Sequence, residues 1–122
     1  MVEISDEQFQ QFITEALDSL PQDKMPYVQN VAFLFDDEPT GEQREKLSLR
    51  DDQSLFGLYE GVPLPKRQGQ DTVLPDKITL FKLPLCAFAD TEAELKEQIR
   101  HTMWHELAHY FGLDHKQIHA LE

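Results

Sequence analysis

The stretch His105-Glu106-Leu107-Ala108-His109-Tyr110-Phe111-Gly112-Leu113-Asp114-His115 has the form H-E-x-x-H-x-x-G-x-x-H. Two histidines four residues apart on a helix project from the same face, so their ring nitrogens can converge on one Zn²⁺ at about 2.0–2.1 Å. Glu106 is the next residue, rotated by about 100°. Its carboxylate then stands beside the metal, where it can take a proton from water on the ion instead of ligating it. Gly112 can adopt the left-handed conformation that ends a helix, after which the chain turns back to offer a third ligand. His115 is the best-placed residue for that role, with Asp114, His119 or water as alternatives. A glutamate well downstream on a following helix, the other common arrangement, is not expected with thirteen residues after His109.

The helix carrying this motif is predicted to begin at a capping box formed by Thr91 and Glu94. It runs without Gly or Pro to Phe111, about 30 Å at 1.5 Å per residue. On a helical projection Ile99, Met103 and Tyr110 fall on one flank of the histidines and Trp104, Leu107 and Phe111 on the far side. Apolar residues on several sides predict a helix in the centre of the domain. His101 precedes His105 by the same four residues, so the pairs 101/105 and 105/109 compete on spacing. Only 105/109 brackets a glutamate and precedes a glycine turn, which leaves His101 as a surface or supporting histidine.

Outward from the motif, Ser5 and Gln8 form a capping-box signal for a first helix, with Phe9, Phe12, Ile13, Ala16, Leu17 and Leu20 on one face and Pro21 at its end. Val31 to Phe35 reads as a strand. Thr40 to Gln53 is a polar loop with room for a turn of helix over Glu42 to Leu47. Leu55 to Glu60 gives a second strand, followed past Gly61, Pro63 and Pro65 by a mobile loop through residues 66–70. Lys77 to Leu83 gives a third strand, which Pro84 is expected to end or to place at a sheet edge. A last short helix is predicted from His115 to Leu121.

The chain has 122 residues, enough for one domain and one core. Its 23 acidic and 11 basic residues give a formal charge of −12, which disfavours phosphate backbones and anionic membranes as partners; a neutral or basic peptide would be the easier partner, and a merely solvated acidic surface is the favoured reading. The one cysteine, Cys86, excludes an internal disulfide and fits a reducing compartment; its apolar surroundings read as a buried structural thiol. No apolar run approaches the roughly 18 residues of a membrane span and no hydrophobic signal core opens the chain, so a cytoplasmic location is expected.

Three segments together resemble a known family over nearly the whole chain. They are Leu55-Phe56-Gly57-Leu58-Tyr59-Glu60-Gly61-Val62-Pro63-Leu64, Pro75-Asp76-Lys77-Ile78-Thr79-Leu80-Phe81 and the His105 to His115 motif, and they look like the small bacterial zincin-like metallopeptidases. The length of the chain leads to the expectation of a single domain over residues 1–122. The resemblance implies a compact α+β fold, with a small sheet packed against an N-terminal helix and a long motif-bearing helix. It also implies His105 and His109 as zinc ligands and Glu106 as catalytic base. The position of His115 is often aspartate in that family, so a histidine there brings the site closer to the metzincins. Met1, Met25 and Met103 all precede His115, however, and none can supply the methionine turn that metzincins place after the third ligand.

The expected activity is therefore zinc-dependent hydrolysis of peptide bonds, with His105, His109 and His115 on Zn²⁺, Glu106 activating the metal's water, and a peptide or protein as partner. Tyr59 and Tyr110 are read as packing aromatics, with oxyanion stabilisation as the alternative role. Two other classes share parts of the pattern. One is a zinc- or peptide-binding module without turnover. The other is a zinc endoribonuclease resembling the rRNA-maturation enzymes, whose H-G-x-x-H-x-x-G-x-D-H motif lacks a glutamate at the position of Glu106.

Overall fold

The computed structural model describes residues 1–50, 54–62 and 75–113. The predicted mobile loop, the predicted terminal helix, Asp114, His115 and His119 lie outside the described residues. The elements in chain order are α1 (Asp6–Ser19), β1 (Val31–Asp36), α2 (Gly41–Lys46), β2 (Gly57–Glu60), β3 (Asp76–Phe81), α3 (Lys82–Phe88) and α4 (Glu92–Tyr110), with a single 3₁₀ turn at Met25–Tyr27. The architecture is the expected α+β.

Helix α1 starts where its signal predicts: the Ser5 hydroxyl accepts from Gln8 N and the Gln8 side chain accepts from Ser5 N. Phe9, Phe12, Ile13, Ala16 and Leu20 are buried. Helix α2 occupies the predicted turn of helix in the polar segment, through a second complete capping box between Thr40 and Gln43. At α4 the predicted box closes only on one side. The Thr91 hydroxyl accepts from Glu94 N, but the Glu94 carboxylate accepts from Asp90 N, one residue earlier than the reciprocal partner.

The three strands lie in the order β1-β3-β2, with β1 parallel and β2 antiparallel to β3. This corrects the expectation for the third strand. It ends at Phe81, it is central rather than at an edge, and Lys82–Phe88 is helical. Pro84 is the third residue of α3, a position whose missing N–H has no intrahelical partner in any case, so it breaks neither strand nor helix. The turn into α3 is tied by Leu83 N donating to Asp37 O at 3.0 Å.

Register decides which side chains meet the helices. Phe33, Ile78 and Tyr59 align across the sheet, as do Phe35, Leu80 and Gly57. These residues share one face because side chains alternate along a strand. Phe35 meets Phe9 of α1 with ring centroids 5.1 Å apart. A Cβ at Gly57 would lie 2.7 Å from the Thr102 methyl of α4 and 3.3 Å from Thr79 O. Helices α1 and α4 therefore cover this face, and Gly57 lets α4 approach β2. As projected from sequence, α4 is apolar on several sides: Leu95, Ile99, Met103, Leu107 and Tyr110 are fully buried and Trp104 nearly so, while Phe111 just beyond its end is half-buried. Cys86 is buried in α3, as expected, and its burial pushes the thiol pKa up. No helix among the described residues is long and apolar enough to cross a membrane.

Gly57→Ala is expected to lower stability by about 1–3 kcal/mol in urea unfolding, the usual cost of overpacking. Gly41→Ala, where a Cβ meets nothing within 4 Å, is the control expected to be neutral or stabilising.

Candidate metal centre

The three residues of the site lie within little more than one turn of α4, positioned by how that helix ends. Helix α4 closes on Phe111, and Gly112 takes φ 81°, the left-handed conformation predicted for it. Gly112 N donates to His109 O at 2.9 Å and Leu113 N to Ala108 O at 3.0 Å. These are the two bonds of a Schellman motif, which satisfies the carbonyls of the last turn and directs the following chain away from the helix axis. His109 is thus held in a closed turn and not in a fraying end.

The imidazoles of His105 and His109 are half-buried, with ring centroids 5.1 Å apart and planes inclined at 76°. Their ligand atoms and the Glu106 carboxylate all lie within 4.8 Å of one another. Two nitrogens sharing a tetrahedral Zn²⁺ stand about 3.3 Å apart, given bonds of about 2.0–2.1 Å. That separation needs only side-chain rotation from the observed arrangement, so the donor set fits zinc. Among the described residues this is the one such group, and His101, exposed one turn earlier, is not part of it.

Glu106 differs from its neighbours in environment. It is only 9 % exposed, and its Oε1 accepts from Tyr59 N of β2 at 3.1 Å. Burial pushes its pKa up from 4.5 to about 7, with the Tyr59 N–H bond opposing the shift. A carboxyl poised near neutrality exchanges protons readily at physiological pH. A divalent cation beside it would favour the carboxylate and draw the value down.

This contact carries geometric information. Phe81 N donates to Phe56 O, and in an antiparallel pair the inward-facing backbone groups recur at every second residue. Tyr59 N therefore points away from β3, toward the outer edge of β2, and Glu106 meets the sheet there. Nothing in the residue types announces a main-chain donor of this kind, so the sequence does not reveal it.

The two tyrosines behave as packing aromatics. Tyr110 is fully buried; its hydroxyl accepts from Gln29 N and lies 3.3–3.4 Å from the Gln29 and Tyr27 carbonyl oxygens, which ties α4 to the segment before β1. Tyr59 donates to Asp76 Oδ2 at 2.6 Å and meets Tyr110 edge-on at 6.2 Å. Asp76 is buried directly below Gly61, where an added Cβ would fall 2.3 Å from its carboxyl carbon. The role of Asp76 in holding β2 was also not legible in advance.

The raised Glu106 pKa has a signed consequence for the metal-free protein. The folded state holds the proton more tightly than the unfolded chain, so the associated stability is full below pH 4.5 and is lost as pH rises through about 7. The loss is about 3 kcal/mol at 1.36 kcal/mol per unit. In chelator, wild type is expected to lose about that much more stability than Glu106→Gln between pH 4.5 and 7.5, read by urea unfolding; parallel curves would contradict the assignment.

No curated protein matches the chain. A family model described as zincin-like metallopeptidase matches residues 28–122. Only the first 27 residues, which contain α1, lie outside the match. With the H-E-x-x-H pair on a central helix and a match over most of its length, the chain belongs to the zincin-like metallopeptidase family.

Proposed function

We propose that the protein is a zinc-dependent peptidase in which His105, His109 and His115 hold the metal and Glu106 is the general base. The observation that carries this reading is the position of Glu106: buried, between two metal-directed histidines, and hydrogen-bonded to the outer edge of β2. Zinc held by the histidines supplies a Lewis acid toward water and toward a carbonyl oxygen. Glu106 accepts the proton of the attacking water at its carboxylate and returns it to the leaving amine nitrogen. Tyr59 N–H fixes the orientation of that carboxylate before substrate arrives.

The substrate on this reading is a peptide or protein in extended form. Strand β2 is hydrogen-bonded to β3 on one side only among the described residues, and its other edge is where Glu106 sits. A peptide laid along that edge gains main-chain hydrogen bonds and presents its backbone to the base. The acidic balance of the chain favours neutral or basic peptides over nucleic acid. Family membership and Glu106 both favour peptide hydrolysis over the endoribonuclease alternative. The single thiol supports action in the cytoplasm.

Two measurements test the assignment. Glu106→Gln keeps the histidines and removes the base, so it is expected to retain one zinc by elemental analysis and to lose about 10²–10⁴-fold in cleavage of an unstructured peptide library. Full activity in this variant would end the general-base role. In a zinc titration against a competing chelator, His115→Ala is expected to weaken affinity more than His101→Ala or His119→Ala. A larger loss from either of those two would move the third ligand away from His115.

A further inference from the structure

Beside the β2 edge lies a second cleft, of about 320 Å³, lined by Gln43, Lys46, Leu47, Leu58, Tyr59, Glu60 and Gly61. Tyr59 belongs to both sites: its N–H holds Glu106 while its neighbour Glu60 faces the cleft. Side chains alternate, so Leu58 and Glu60 lie on the sheet face opposite Gly57 and Tyr59. Gln43 of α2 meets them there.

The carboxylate of this cleft is held in place. Gln43 Oε1 accepts from Thr40 N at 2.9 Å as part of the α2 capping box, and Gln43 Nε2 donates to Glu60 Oε1 at 3.0 Å. The α2 cap thereby orients the amide that orients the carboxylate. Glu60 is half-buried and forms no ion pair among the described residues. Lys46, exposed on the last turn of α2, lines the same cleft without pairing with it. A carboxylate has about four acceptor sites, and one amide donor leaves most of them for an incoming N–H group. Leu47 and Leu58 add apolar surface to the lining, which suits the methylene stem of a long side chain.

We propose that this cleft is a specificity pocket for a lysine or arginine side chain of an extended peptide, with Glu60 as its recognition group. The placement of the peptide rests on the peptidase reading above. Along the β2 edge, alternate peptide side chains fall on the face of Leu58 and Glu60, one residue from the backbone group that holds the base. A cationic side chain in one such position reaches Glu60, buries its stem on Leu58 and Leu47, and sets the cut at a fixed distance from itself.

The test uses fluorescent unstructured peptides that differ only in carrying Lys, Arg, Gln or norleucine at one position. Binding is measured to zinc-loaded Glu106→Gln protein with and without Glu60→Gln, and cleavage of the same peptides by wild type and by Glu60→Gln. The cationic members are expected to bind about tenfold tighter, the size of one charge-assisted hydrogen bond, and Glu60→Gln to erase the difference. Lys46→Ala, which removes the rim cation and touches no described partner, is expected to sharpen the preference. A preference that is absent, that survives Glu60→Gln, or that weakens in Lys46→Ala overturns the pocket. Cleavage without a Glu60-dependent preference leaves the peptidase reading standing alone. A Glu60-dependent binding preference without cleavage leaves the pocket standing and removes the peptidase. If no peptide binds or is cut, both fall.

Discussion

A carboxylate taken out of water is costly, and the site turns on how this chain accommodates one. Glu106 is buried, and its carboxylate accepts from the Tyr59 N–H of β2. That bond requires α4 to lie against the edge of the sheet at close range. The approach in turn requires a residue without a side chain where the helix crosses β2, which is Gly57 against Thr102. Helix, strand and glycine form one arrangement. A longer side chain at position 57 would push Tyr59 N away from Glu106 as well as disturb the packing.

The remaining elements hold this contact from both sides. Strand β3 is central and buried along most of its length, so it fixes the plane from which β2 projects. Tyr59 is pinned to Asp76 at the start of β3, and Tyr110 ties the end of α4 to the backbone of residues 27–29. Tyr110 belongs to the motif-bearing helix and Tyr59 to the strand that this helix meets. They limit the freedom of the two elements whose separation sets the position of Glu106, and rigid support of this kind is what a metal or catalytic site needs to hold its geometry. The Schellman closure after His109 has the same effect at the other end of the site.

The cleft at Glu60 extends the same organisation to the opposite face of the sheet. A short helix, α2, has no buried residue of its own, yet its cap residue Thr40 and its third residue Gln43 deliver an oriented amide to Glu60. The Tyr59 N–H and the Glu60 carboxylate thus sit one residue apart on one strand, the first on Glu106 and the second at the cleft.

What was legible in the sequence is what depends on neighbours a few residues apart. The capping box at Ser5, the apolar stripe of α1, the strand at residues 31–35, the uninterrupted helix from Glu92 and the glycine turn after His109 are all local, because capping, periodicity and φ preference act within one or two turns. The grouping of His105, Glu106 and His109 is local for the same reason: helical geometry alone brings them together. Only tertiary structure decided that β3 is central, since strand order depends on pairing between distant segments, and that Pro84 belongs to a helix, since its tolerance depends on where that helix begins. It also decided the Tyr59 N–H on Glu106, 47 residues apart, and the Tyr59 hydroxyl on Asp76, 17 apart. A main-chain donor carries no residue signature, and a hydrogen bond closed across a sheet has no spacing to betray it, so these contacts exist only once the chain has folded.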